Sequence, residues 1–115
     1  MTRETDGPQD GNVLAGLPGG PVGEELFEVL AQTPGARVDR IVSTGQSTPP
    51  GEWYDQESDE WVLLVSGAAR LEIDGEAERR LGPGDWLLLP ARCRHRVTWT
   101  RASPPTVWVA VHMQS

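Results

Sequence analysis

Apolar residues in this chain recur mostly at a spacing of two. The clearest stretch is residues 60–66, where Glu60, Val62 and Leu64 fall on one face and Trp61, Leu63 and Val65 on the other. Apolar side chains on both faces imply that both faces are covered. Residues 69–73 set Leu71 and Ile73 against Arg70 and Glu72, and Asp74-Gly75 predicts a type I′ hairpin turn into a more polar strand over 76–81. Residues 52–56 read as a short strand bearing Trp53 and Tyr54. Two more strands are expected over 95–100 and 107–112, parted by the proline-bearing turn at 102–105. Residues 24–31 fit helix or strand, but Thr33-Pro34-Gly35 and the following 36–43 favour a hairpin. No long helix is predicted. The pattern is that of an all-β sandwich or barrel of about eight to ten strands.

Residues 1–23 are rich in Gly, Pro and polar side chains. The first ten read as a flexible tail, and Val13-Leu14-Ala15 with Leu17 as a strap packed on a barrel formed by residues 24–115. The 115 residues suffice for one hydrophobic core and not two. A net charge of −7 argues against a nucleic-acid or anionic-membrane partner. No stretch approaches the roughly 20 apolar residues of a membrane span. The first residues carry no secretory pattern, and Cys93 stands alone, so a reducing cytoplasm is the expected compartment.

Several chemistries are excluded by absence. All ten basic residues are arginine, so lysine Schiff-base chemistry is out. One cysteine cannot build a structural zinc site. There is no P-loop, no Gly-x-Ser-x-Gly elbow and no GxGxxG opening a helix. The five tryptophans suit core and interface better than a base-stacking platform, which would need a basic groove.

One segment carries a recognisable spacing. Gly82-Pro83-Gly84-Asp85 forms a turn, an apolar strand follows, Pro90 breaks it, and His95 stands five places on. Upstream, Glu60 is followed at an interval of six residues by Gly67. These spacings resemble the second and first signatures of the cupin barrels, over roughly residues 36–112. The resemblance implies a jelly-roll β-barrel in a single domain. Metal-binding cupins use two histidines two residues apart, then a glutamate, then the second-signature histidine. Glu60 and His95 stand at the last two of those positions. The earlier pair falls on Tyr54 and Gln56, or on Trp53 and Asp55, and neither alignment supplies a histidine.

Strand parity puts His95, Val97 and Trp99 on one face, with Glu60 facing the same interior. Two ionisable groups in an apolar cup require a partner, and three readings follow. In the first, a small polar metabolite binds through a divalent ion (Fe, Mn, Ni or Zn) held by Glu60, His95, an oxygen of Gln56 or Asp55, and His112 if it turns inward. That site would support oxygenase or isomerase chemistry. In the second, the cup is metal-free and works as an isomerase or epimerase, with His95 as base, Glu60 orienting it and Tyr54 as acid. In the third, the barrel only binds or senses a ligand, with Arg92 or Arg94 holding an anion and Trp53 or Trp99 against its body. The apolar outer face of residues 60–66 predicts a homodimer.

Overall fold

The structure is a computed structural model and describes residues 7–114. The first six residues of the expected tail, and Ser115, lie outside the described residues. The strands in chain order are β1 (Leu26–Thr33), β2 (Ala36–Ser43), β3 (Asp59–Ser66), β4 (Ala69–Ile73), β5 (Arg79–Leu81), β6 (Trp86–Leu89), β7 (His95–Thr100) and β8 (Thr106–Met113). They form two antiparallel sheets, one ordered β1-β2-β8-β3-β6 and one ordered β5-β4-β7. The expected all-β jelly roll is the observed fold. No helix among the described residues is long and apolar enough to cross a membrane.

The core lies between the sheets. Val62, Leu64, Leu89 and Trp108 of the large sheet pack against Ala69, Leu71 and Leu81 of the small one. These are the inward positions of alternating strands, so the period-two pattern directly specifies the core. The ambiguous segment before residue 31 is a strand, paired with β2 from Leu26 opposite Val42 to Thr33 opposite Ala36. Every residue of β1 is exposed, as befits an edge strand.

Gly67 turns the chain from β3 towards β4. Its φ is +88°, and a Cβ there would lie 2.6 Å from Thr106 Cα and 2.9 Å from Pro105 O. The corner therefore needs glycine both for its backbone conformation and for the close passage of β8. Near the N-terminus, residues 13–16 turn against the outer side of the large sheet. There Arg40 donates to the carbonyls of Val13 and Ala15 and pairs with Glu28.

Three local expectations fail for physical reasons. Residues 52–56 contribute a single bridge, Tyr54 to His95, and beyond it Gln56 O accepts from Arg92 N of a loop and not from a strand. The polar return strand shortens to β5. The turn at Asp74-Gly75 is not type I′, since only Gly75 takes a positive φ and a I′ turn needs both central residues there.

Candidate functional site

One rung of the large sheet aligns the ionisable residues. Arg37 on β2 lies opposite His112 on β8, His112 lies opposite Glu60 on β3, and Glu60 lies opposite Leu89 on β6. Asp39, two residues past Arg37, shares its inward face. The small sheet contributes His95 from the start of β7, and the Tyr54 bridge brings a phenol against it. These side chains, over an apolar floor that includes Val62, Leu71 and Trp108, line a cavity of about 220 Å³. That is the liquid volume of roughly seven waters, the scale of a small metabolite.

Glu60 sits at the centre. It is only 8% exposed, yet its carboxyl accepts no hydrogen bond from the described residues. Its Oε1 is 3.7 Å from His95 Nε2 and its Oε2 is 3.8 Å from His112 Nε2, both too long for a hydrogen bond. Burial, reinforced by the nearby Asp39 carboxylate, pushes its pKa up towards the neutral acid, with Arg37 opposing.

The two histidines are held differently. His95 Nδ1 lies 2.9 Å from the carbonyl of Cys93. A carbonyl can only accept, so Nδ1 carries the proton, and the neutral ring presents a bare Nε2 to Glu60. Burial pushes its pKa down, against that hydrogen bond. The Tyr54 ring stacks on it with centroids 5.4 Å apart. The Tyr54 phenol is pushed up by burial and by the Glu25 carboxylate, which keeps it a proton donor. His112 Nε2 is 3.4 Å from Asp39 Oδ2, and Arg37 Nε is 3.1 Å from each Asp39 oxygen. Burial and the Arg37 charge push the His112 pKa down, while Asp39 pulls it up. On the far wall, Trp108 donates to the Ser43 hydroxyl, which donates to Glu25.

The cup brings together Glu60, His95, His112, Gln56 and Tyr54. The other expected site residues lie outside it. Asp55 is exposed and pairs with Arg92, which also reaches Glu57 across the loop. Arg92 itself takes φ 65°, the left-handed conformation for which cupin sequences use glycine at this place, and its side chain points to that acidic loop. The guanidinium groups of Arg94 and Arg96 both lie over the Trp53 ring, 5.2 and 5.8 Å from its centroid. Arg94 pairs with Asp74. Trp99 is 40% exposed and packs on Arg70. A β-bulge explains it: Arg70 pairs with Trp99 but Leu71 with Val97, so Thr98 is extra and parity inverts.

The cupin resemblance implies a metal ion among these donors. Among the described residues no group of three or more His, Cys, Asp or Glu side chains is arranged to hold a metal ion. The physical reason is visible in the rung: His112 faces Asp39, and Asp39 is already engaged by Arg37. As they stand, the residues do not fit the resident ion expected from the spacing of Glu60 and His95.

Arg37 and Asp39 are functional candidates that the sequence reading missed. The signal was present in the alternation of Arg37, Asp39 and Ile41, with an apolar residue on the same face as two charges.

A profile described as "Cupin domain" matches residues 40–112. The chain belongs to this cupin family. Among solved structures, this cupin is 49% identical to a proposed mannose-6-phosphate isomerase from Ralstonia eutropha JMP134, with a TM-score of 0.90 and coverage of 94% of this chain and 100% of that one. A cupin superfamily protein from Desulfitobacterium hafniense DCB-2 is 21% identical, with a TM-score of 0.75 over 99% of this chain and 100% of its own. An RmlC-like cupin from Methanocaldococcus jannaschii is 14% identical, with a TM-score of 0.65 over 79% and 81%. At those identities the last two speak for the fold alone. A search of curated proteins gave no match.

Proposed function

We propose that this cupin binds a small polar metabolite in its cup and moves a proton on it without a resident metal. The observation behind this reading is the facing pair of Glu60 and His95, both buried and both directed into the same apolar-floored cavity. His95 Nε2, bare in the neutral ring, takes a proton from carbon beside a carbonyl. Glu60, held towards its acid form, gives its proton to the carbonyl oxygen as the enol forms. Where the first carbon bears a hydroxyl, His95 then returns its proton to the former carbonyl carbon while the Glu60 carboxylate takes the proton of that hydroxyl, which completes an isomerisation and restores both groups, and the Tyr54 phenol at the rim stands ready to donate to a ligand oxygen. The name of the Ralstonia protein supports the same reaction class, an isomerase.

The test is solvent-deuterium exchange followed by NMR, with small oxo-acids and sugars as probes. Exchange next to the carbonyl should fall by about 10²- to 10⁴-fold in His95→Gln. Exchange indifferent to His95→Gln, or appearing only after Fe(II), Mn(II), Ni(II) or Zn(II) is added, would sink the metal-free reading.

We also take the protein to be a homodimer closed through the outer face of its large sheet. Trp86 and Leu88 of β6 are 59% and 52% exposed, beside Trp61, Leu63, Val109 and Val111 on the same face. Such a patch suits a self-complementary contact. Sedimentation of the full chain should give a dimer, and Trp86→Glu should give a monomer. A monomeric wild type at high micromolar concentration would rule the dimer out.

A further inference from the structure

We infer that Arg37 anchors the substrate, and that it does so by binding a carboxylate. The inference rests on the reading of the cup as the ligand site and adds the class of ligand. Arg37 is the one arginine among the described residues that line the cup, and the chain has no lysine. Arg92, Arg94 and Arg96, the cluster nearest His95 in sequence, are occupied elsewhere by Asp55, Glu57, Asp74 and Trp53. Among the described residues, an anionic ligand in this cup is therefore read by Arg37 or by no arginine at all.

The guanidinium is poised for that task. Its Nε–H is spent on Asp39, 3.1 Å from each oxygen, which fixes the plane of the group. Its two terminal amino groups meet no acceptor among the described residues, and with the side chain 44% exposed they are open to solvent and to a ligand. It stands in the partition between the cup and a neighbouring pocket of about 160 Å³ that also touches Ser58, His112 and Gln114. A planar fork held by an acid at its Nε edge and open at its amino edge matches a carboxylate in two parallel bonds.

Charge selects carboxylate over phosphate. Glu25, Asp39 and Glu60 also line the cup, and Asp39 already offsets the Arg37 charge. A dianion would meet three carboxyl groups and one shared cation. A single carboxylate needs no more than the open edge of Arg37, and its neighbouring hydroxyl or carbonyl then falls towards Glu60 and His95. The substrate class is a small hydroxy- or oxo-acid, even though the similar Ralstonia protein is named for a sugar phosphate.

The experiment uses the full chain and titration calorimetry. The probes are lactate, pyruvate, glycerate and 2-oxoglutarate, the neutral amides of the first two, glycerol, inorganic phosphate and glucose 6-phosphate. Removing Arg37 strands the buried Asp39, so Arg37→Gln is accompanied by the doubly neutral Arg37→Gln/Asp39→Asn, with Arg92→Gln as control. The expected result is carboxylate binding that weakens at least tenfold in both Arg37 variants and persists in the control. Amide and glycerol affinities should be alike in all four proteins. The inference is overturned if carboxylates bind the Arg37 variants as well as the wild type, or if no carboxylate on the panel binds the wild type. It is also overturned if phosphate compounds bind more tightly than carboxylates. Neutral probes that bind and are lost on Glu60→Gln would then leave the cup reading standing with the Arg37 assignment removed.

Discussion

His95 and His112 approach the two oxygens of Glu60 from opposite sheets, at 3.7 and 3.8 Å, yet they are not equivalent. His95 is held by a main-chain carbonyl, is 5% exposed and is capped by the Tyr54 ring. A backbone acceptor has no charge to lose, so the neutral ring keeps one tautomer and one orientation. His112 is held by a carboxylate that Arg37 already shares, so its charge depends on two side chains that answer each other. The difference teaches which ring can act on a ligand: His95 offers a fixed bare nitrogen, whereas His112 belongs to an electrostatic chain that runs out to Arg37.

The strongest way to break this comparison is to remove each ring. His95→Ala should lose about 1–3 kcal/mol in urea unfolding, from the stacked ring and the orphaned Cys93 carbonyl. His112→Ala, which is half-buried, should lose less than about 1 kcal/mol. Equal losses would mean that the two walls of the cup are energetically alike.

Stability against pH sharpens the contrast further. Both rings are pushed down in the fold, so the unfolded chain takes up protons that the folded one refuses. Their contribution is complete above about pH 6.5 and is lost as pH falls through the lowered folded values. Thermal melts from about pH 8 to about pH 5 should show a flatter acid limb in His95→Gln than in His112→Gln, because His95 is the more deeply buried. Glu60 works in the opposite sense. Its folded carboxyl holds its proton more tightly than the unfolded chain does, so its contribution is complete below the usual carboxylate range and is lost as pH rises above it. Glu60→Gln should therefore gain on the wild type as pH rises, and a gain confined to acid would contradict the assigned environment.

A subtler change separates the rings by spectroscopy. With only two histidines in the chain, their imidazole NMR signals can be assigned from single variants. Asp39→Asn should lower the His112 pKa further and leave His95 in place, since Asp39 acts on His112 directly. Movement of both signals together would show the rings coupled through Glu60. The smallest effect is expected at Arg92, outside both walls. Arg92→Gly relieves a left-handed residue worth about 1 kcal/mol and removes two exposed ion pairs worth little, so stability should change by less than about 1 kcal/mol.

The fold was legible because alternation and turn residues agreed along most of the chain. Glu60 and His95 were legible because their spacing from Gly67 and Pro90 fixes which strand ends they occupy. Trp99 was misplaced because a bulge at Thr98 leaves no mark in a period-two pattern. Asp55 and Gln56 could not be ranked from sequence, since residues 52–56 bridge at Tyr54 alone and so declare no face. Alternation put Arg37 and Asp39 on one face with Ile41, but register decided which residues they meet. Opposite His112 and Ala110 they belong to the cup, and one residue of slip would have put them in solvent.

Gly67 lies at a corner remote from Glu60 in function, yet it sets the path of the strand that carries Trp108 and His112. A methyl group at Gly67 would press on the main chain of Pro105 and Thr106, where β8 begins, and on the Thr106 hydroxyl, which is tied to the carbonyls of Ala68 and Arg101. Relief would have to travel along β8 as a displacement of the strand itself. Altered ligand affinity after a Gly67→Ala change would then report mechanical transmission through a single strand, with every residue of the cup chemically intact.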